Sequence, residues 1–398
     1  MLRGCWRKFT EAVGKNSSFR GKNQYVAREN TDIRQPCLIR VKKAKCRHFF
    51  VVRKRLRCLH FRTFAAAKKQ EAMYHNKPLV SVLIPNYNHG IYLRERIDSV
   101  LNQDYENFEV IILDDCSYDN SREIIAQYSG CEHVREIIFN GKNSGNTFIQ
   151  WNRGVQKSLG KYIWIAESDD SAEPSFISTL VEQLENNPKA VLAYSYSKVI
   201  DQASHVIFED NSASDKENMV KTYDGHRYIE YFMLSDNTIY NASMVIFRRD
   251  IYDKINPKYK LHRCCGDWLF WTCACEQGDV IEVRKPLNHF RQHWNKVTTK
   301  SMTDGSAYED LGGMLTDMVE ELHMSTNKMR SMRVRWHRRI MGNYNIEDKQ
   351  SLIDRFPLIF KKHTLDYPAY KYYKIRGFMK ARTRNILGLF NVPLKNVK

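Results

Sequence analysis

Three places in this 398-residue chain set chemistry-bearing side chains close together. The first is Glu167-Ser168-Asp169-Asp170. Adjacent carboxylates repel one another unless a cation lies among them. Mg²⁺ or Mn²⁺, held by one or two carboxylates with phosphate oxygens and water completing the shell, meets that need. Taken alone, the run reads equally well as a surface turn or a helix cap ahead of Pro174. The second place is Cys265-Gly266-Asp267-Trp268-Leu269-Phe270-Trp271, where a carboxylate opens a helix among large rings. Apolar neighbours raise a carboxyl pKa toward the range a general base needs. The competing reading is an N-capping Asp before a core helix, with Trp268 and Trp271 simply packing. The third is Phe290-Arg291-Gln292-His293. His293 suits an oxygen-rich Mn²⁺ site, and Arg291 could neutralise an anion; a lone His is more often structural, and an Arg as readily a surface residue.

These groups need a scaffold, and the sequence alternates strand and helix. Apolar runs at Leu79–Ile84, Phe108–Leu113, Arg135–Phe139 and Tyr162–Ala166 predict buried strands. Between them, Leu93, Ile97, Val100 and Leu101 fall at helical spacing, as do Ile149, Val155 and Leu159. Asp119 is placed to cap a helix through Ile124, Ile125 and Tyr128. Pro174 opens a further helix carrying Ile177, Leu180, Val181 and Leu184, and 190–200 is strand-like again. This order predicts an α/β fold with strands running parallel and helices on both faces. In such sheets ligands bind beyond the carboxyl ends of the strands. Pro85-Asn86-Tyr87-Asn88, Asp114-Asp115 and Glu167-Ser168-Asp169-Asp170 would all lie along that edge. Farther on, Glu209–Asn218 reads as a loop, Ile239–Phe247 as a strand, Asp267–Cys275 as a helix and Val280–Val283 as a strand. From about Asp304 the pattern is helical.

The formal charge of +18 suggests nucleic acid or membrane until it is located. Residues 1–77 hold 21 of the 63 Lys and Arg but only 4 of the 45 Asp and Glu. The body is therefore nearly neutral. Residues 1–72 lack clear periodicity and read as a basic arm, as an extension without a role, or as sequence upstream of a natural start at Met73. No recognisable nucleic-acid module accompanies the charge, and nucleic acid is not an expected partner. The ten cysteines show neither zinc-ligand spacing nor a disulfide framework, which fits a reducing cytoplasm. No apolar run has the length of a membrane span. The tail 371–398 interleaves Lys and Arg with apolar residues and has no acid, so it suits peripheral contact with an anionic membrane or a helix packed on the body.

Taken in order, Val82-Leu83-Ile84-Pro85-Asn86-Tyr87-Asn88, Asp98-Ser99-Val100-Leu101-Asn102-Gln103, Phe108–Ser117, Asn143-Ser144-Gly145, Asn152-Arg153-Gly154 and Glu167-Ser168-Asp169-Asp170 resemble the family 2 glycosyltransferases. The resemblance is close over 78–200 and looser to about 300. It implies the GT-A nucleotide-diphospho-sugar transferase fold, a mixed central sheet flanked by helices. Domain 73–300 would divide into a donor half (78–200) and an acceptor half (201–300), followed by a helical C-terminal extension over 301–398. It further implies inverting transfer from a nucleotide-sugar donor, most simply a UDP-sugar, to a carbohydrate or lipid-linked carbohydrate acceptor, with Mn²⁺ or Mg²⁺ as cofactor, in cell-surface polysaccharide or glycoconjugate synthesis. By the same resemblance Pro85, Tyr87, Asp115, Asn143 and Asn146 would line the nucleotide pocket, and Asp169 would reach the ribose or the metal. Asp170 would hold the metal with His293 beside it, and Asp267 would be the base. Aromatic faces stack on sugar rings, so Trp268 beside Asp267 could form part of the acceptor wall. Glu167 stands where the family usually has Asp, and Asn146 where it often has Arg. Asp114 reads as a strand-end residue. A sugar nucleotidylyltransferase would share such a sheet, but that class carries a Gly-rich loop and a Lys after the first strand, where this chain has Pro85-Asn86-Tyr87-Asn88.

Overall fold

The computed structural model describes residues 77–209, 219–234, 236–293, 306–343, 346, 348–363, 366–368 and 371. The expectations for residues 1–72, for most of the loop Glu209–Asn218 and for the tail beyond Lys371 lie outside them.

Val80–Asn86 (β1) and Phe108–Asp114 (β2) are buried at every position. Strands covered on both faces have no solvent side, so their sequences run continuously apolar instead of alternating. Val134–Phe139 (β3), Tyr162–Ile165 (β4), Ser171–Ala172 (β5), Ala190–Ile200 (β6), Val206–Glu209 (β7), Val220–Tyr223 (β8), Val245–Arg248 (β9) and Asp279–Arg291 (β10) complete one ten-stranded sheet, ordered β3-β2-β1-β4-β9-β6-β10-β5 with β7 on β6 and β8 on β10. The β3-β2-β1-β4 half is parallel. β9 runs antiparallel to both β4 and β6, so the sheet is mixed.

Helices cover both faces. Gly90–Leu101 (α1) buries Leu93, Ile97 and Val100, spaced one turn apart, and Phe176–Asn186 (α4) buries Ile177, Leu180, Val181 and Leu184. Each such side chain taken out of water contributes about 1.5–3 kcal/mol. With Val82 and Ile112 they form one core. The short Ser121–Ala126 (α2) follows the β2 loop; Asp119 accepts from the N–H of Ser121, the first residue of α2, and from the Gly90 N–H, tying α2 to α1. On the opposite face, Thr147–Lys157 (α3) and Gly266–Cys275 (α5) bring Trp151, Phe270 and Trp271 against Leu83 and Ile111. Ser306–Glu321 (α6), Thr326–Met341 (α7) and Lys349–Arg355 (α8) extend that same core through Met314, Met318, Trp336 and Leu352.

Two elements depart from expectation. The strand anticipated over Ile239–Phe247 begins only at Val245, after a 3₁₀ turn at Ala242–Met244. The Asn237 and Asn241 side chains are committed to carboxylates on other elements, which draws this stretch out of the ladder. β10 runs far past Val283, with register shifts on either side of Pro286, whose missing N–H cannot join a regular ladder.

Candidate active site

The carboxyl ends of β1, β2 and β4 are laced together by side chains. Asn86 Nδ2 donates to Asp114 Oδ1 (2.9 Å) and to Ser117 Oγ (3.2 Å). Asp114 Oδ2 accepts from the Ser117 N–H and from Arg122 Nε, which makes it the strand-end residue the sequence suggests. Asn88 sits at φ 55° and accepts from the Tyr118 N–H, so the turn after β1 is pinned to the loop after β2. Tyr87 is 43% exposed and meets Tyr118 edge-on at 6.2 Å between centroids, leaving two rings on the rim. Pro85 does not line that rim: it lies inside β1, paired with Leu113 and buried.

Asp115 is a buried hub. Its carboxylate accepts from the Ser144 N–H and Oγ, Asn140 Nδ2 and Gln150 Nε2, at 2.7–3.1 Å. Asn143 shapes the same loop: Nδ2 donates to the Asp115 carbonyl and Oδ1 accepts from the Gly145 N–H. Gly145 adopts φ +73°, a conformation that favours glycine. Asn146 departs from its expected place in the nucleotide pocket. Its Oδ1 caps α3 through the Phe148 N–H, and its Nδ2 donates to the Lys260 carbonyl at 2.7 Å. Both ends of that amide are used in holding the fold.

Within the acidic run the residues part company. Glu167 Oε1 accepts from Trp151 Nε1. Burial, reinforced by the Asp169 charge, pushes its carboxyl up to about 8. Asp170, expected to hold a metal, is fully buried and accepts from Asn241 Nδ2 (2.8 Å), Ser243 Oγ (2.7 Å) and the Arg291 N–H (2.9 Å). Both its oxygens serve to join the run to β10 and to the segment before β9. Asp169 instead faces His293, with Oδ2 3.0 Å from Nε2. His89, in the turn after β1, completes a cluster with Asp169 and His293 whose potential ligand atoms all lie within 4.8 Å of one another. Ser168 Oγ meets His89 Nδ1 at 2.8 Å and helps to orient the ring. Two imidazoles and a carboxylate form a donor set that fits a divalent cation, with the mixed nitrogen and oxygen character favouring Mn²⁺ over Mg²⁺.

Arg291 is not a surface group, and the anion it meets is the Glu95 carboxylate. It is fully buried, with Nε on the Asp169 carbonyl (2.7 Å), Nη1 on the Asp201 carbonyl and Ser204 Oγ, and Nη2 on Glu95 Oε2 (2.6 Å). A second buried cation, Arg96, donates from Nε to the Glu167 carbonyl and lies over the Trp164 ring. Burial pulls its pKa down to about 10 against the opposing charges of Asp170, Asp169 and Glu167.

Asp267 lies in the first turn of α5 and accepts from Asn237 Nδ2 at 3.2 Å. Burial pushes its carboxyl up to about 7 despite the Trp268 N–H and Asn237, and the nearby Asp310 charge adds to the rise. Gly266 opens that helix at a close approach, where a Cβ would sit 2.3 Å from the Tyr259 carbonyl oxygen. Trp268 does not form an open wall. It is buried against Trp336, with Nε1 donating to the Met233 carbonyl.

Sequence reasoning missed His89, Asn237 and the buried role of Arg291. The signal for His89 was present, a His directly after a strand-ending turn on the ligand edge. Asn237 carried none, because its partner is 30 positions away.

Glycosyl transferase family 2 matches residues 81–256, a span that includes all of β1 after Val80, the acidic run and Asn241. A glycosyltransferase of Haemophilus influenzae is 31% identical over 229 residues, 56% of this chain and 68% of that protein. The poly(ribitol-phosphate) beta-N-acetylglucosaminyltransferase TarP of Staphylococcus aureus is 30% identical over 200 residues, 48% of this chain and 55% of that one. Among solved structures, S. aureus TarS residues 1–349 in complex with UDP-GlcNAc superimposes with a TM-score of 0.50 at 16% identity, covering 73% of this chain and 78% of that one, a likeness of fold. With its mixed sheet, its acidic run beyond β4 and these relatives, the chain belongs to the family 2 glycosyltransferases, enzymes of the GT-A fold.

Proposed function

We propose that this glycosyltransferase moves a sugar, with inversion, from a UDP-sugar to a carbohydrate hydroxyl, in the synthesis of a cell-surface polysaccharide or glycoconjugate. The observation that carries the reading is the convergence of His89, Asp169 and His293 beyond the ends of β1 and β4. Those three residues would hold a divalent cation, which offsets the charge of the departing diphosphate when bound. Tyr87 offers its exposed ring to the nucleobase. Asp115 and Asn143 shape the pocket floor, with Asp115 sharing its carboxylate between Ser144 and the base N–H. Asp267 takes the acceptor proton as that oxygen bonds to the anomeric carbon and the carbon–phosphate-oxygen bond breaks on the opposite face. A carboxyl near 7 accepts a proton more readily than an ordinary Asp. The similarity to TarP and to UDP-GlcNAc-bound TarS supports UDP-N-acetylglucosamine as the first donor to test.

A thermal-shift panel of nucleotide sugars with and without Mn²⁺ tests the reading, because a ligand that binds only the folded chain raises its melting temperature. A UDP-sugar that stabilises only with Mn²⁺ is the expected result. Stabilisation by nucleotide sugars that is indifferent to Mn²⁺ would refute the cation site.

A further inference from the structure

The segment from Asn237 to Asn241 connects the two halves of the chemistry. Asn237 Nδ2 donates to Asp267 Oδ2 at 3.2 Å, and Asn241 Nδ2 donates to Asp170 Oδ2 at 2.8 Å. Five residues therefore run from the base to the acidic run. Ile239, in the middle, is fully buried and fixes the segment to the core, whereas Tyr240 is 37% exposed. The Tyr240 ring meets Phe290 at 5.5 Å between centroids, tilted by 50°.

Phe290 is placed by the strand itself. Side chains two apart on a strand share a face. Asn288 donates from Nδ2 to Asn241 Oδ1 at 3.1 Å, so Phe290 stands on the Asn241 side of β10, while His289 turns to Ser171 and Glu173 on the other. Phe290 also directly precedes Arg291, whose N–H anchors Asp170. Each member of the aromatic pair is thus adjacent in sequence to a residue that holds Asp170, and Tyr240 lies three residues from the Asn that touches Asp267.

We propose that Tyr240, backed by Phe290, is the ledge on which the acceptor's sugar ring rests, so that the acceptor is a pyranoside and not an acyclic polyol. This rests on Asp267 being the base. Tyrosine suits the task because a ring with two torsions covers a broad apolar face at small entropic cost. The C–H face of a pyranose lies flat on such a ring, while an open-chain polyol phosphate presents no face of that kind. The backing by Phe290 and the anchoring of the neighbouring Asn241 hold the ledge in place.

The test is saturation-transfer NMR and titration on the full chain with Mn²⁺ and UDP present. Methyl β-cellobioside, methyl β-lactoside and methyl β-chitobioside are the ring probes, with ribitol 5-phosphate as the acyclic one. At least one pyranoside should bind, with its ring C–H protons saturated most strongly. Tyr240→Ala should weaken it roughly three- to tenfold, Tyr240→Trp should restore it, and the Mn²⁺-dependent thermal shift with UDP should not change. The proposal is overturned if none of the three pyranosides binds, if Tyr240→Ala binds them as tightly as the unaltered chain, or if ribitol 5-phosphate binds best. It is overturned equally if Tyr240→Ala weakens Mn²⁺ and UDP in parallel, since the residue would then act on the donor site and not on the acceptor. Asp267→Asn separates the two ideas. Pyranoside binding kept with transfer lost supports both; transfer kept in Asp267→Asn refutes the base and leaves the binding results to decide the ledge.

Discussion

His293 Nε2 lies 3.0 Å from Asp169 Oδ2, joining positions 124 residues apart at the edge of one sheet. The neighbouring carboxylate, Asp170, points instead into a cage of Asn241, Ser243 and the Arg291 N–H. On the proposed function, two adjacent aspartates would divide cation binding from framework. Asp169→Ala and His293→Ala should abolish the Mn²⁺-dependent thermal shift with UDP while leaving the melting temperature of the bare chain close to its original value. Asp170→Asn should do the reverse, destabilising the chain by about 1–3 kcal/mol because a buried acceptor is replaced by an amide that cannot serve every donor. Mn²⁺ titration and denaturant unfolding of the three variants check the division.

As the proposed base, Asp267 should give the reaction its pH dependence. A base must be ionised to accept a proton, and burial holds this carboxyl near 7. The value of kcat/KM should rise with pH through about 7 and level off above it. Asp267→Asn should lower kcat by roughly 10²- to 10⁴-fold with little effect on the donor KM. A flat profile between mildly acidic and mildly alkaline pH would assign proton transfer to another group.

The rim ring Tyr87 supplies a stacking face without a fold-level duty, since it is exposed and its ring meets Tyr118 only edge-on. Tyr87→Ala should raise the donor KM roughly three- to tenfold and leave the Mn²⁺ affinity of the chain unchanged. Isothermal titration with UDP, with Mn²⁺ in excess, measures the first. An unchanged UDP affinity would put the nucleobase elsewhere.

His262 fastens α6 to the loop ahead of Asp267. Its Nε2 lies 2.7 Å from Asp317 Oδ2 and its Nδ1 3.4 Å from Asp310 Oδ1. Burial alone would pull its pKa down, but the hydrogen bonds to Asp310 and Asp317 outweigh burial and raise it. Asp310 is shifted the other way: burial would raise it, and His262 with the Cys264 and Arg263 N–H groups lowers it further than burial lifts it. The stabilisation from His262 is therefore complete below the unfolded histidine value of about 6.5 and fades as pH rises through the raised folded value. That from Asp310 is complete above the unfolded carboxyl value of about 3.9 and fades as pH falls through the depressed one. The difference in melting temperature between the unaltered chain and His262→Gln should be largest at mildly acidic pH and shrink in alkali. A difference that grows in alkali would contradict the charged pair.

Much of the architecture was legible because its signals are local. β1, β2 and β4 announce themselves as apolar runs, α4 by its spacing of Ile177, Leu180, Val181 and Leu184, and the ligand edge by the polar residues at which each strand stops. The division of labour inside the site was not legible. Asp169 and Asp170 are the same residue type side by side, and only the positions of Asn241, Ser243, Arg291 and His293, all distant in sequence, tell them apart. Asn146 misled for the same reason, since its partner at Lys260 is 114 positions away. Trp268 misled because an aromatic beside a carboxylate looks alike whether it faces a substrate or a core, and Trp336 on α7 decides which.

The carboxylate of Asp310 accepts from three successive backbone N–H groups, those of Arg263, Cys264 and Cys265, at 2.6–3.1 Å. Those amides belong to the chain that delivers Asp267 to its place. The C-terminal helices consequently cannot be treated as an interchangeable module. A chimaera that keeps the sheet of this enzyme but borrows the helices of a relative would keep the donor half proposed above and displace Asp267, its proposed base, unless the borrowed helix brings an acid to the same three amides.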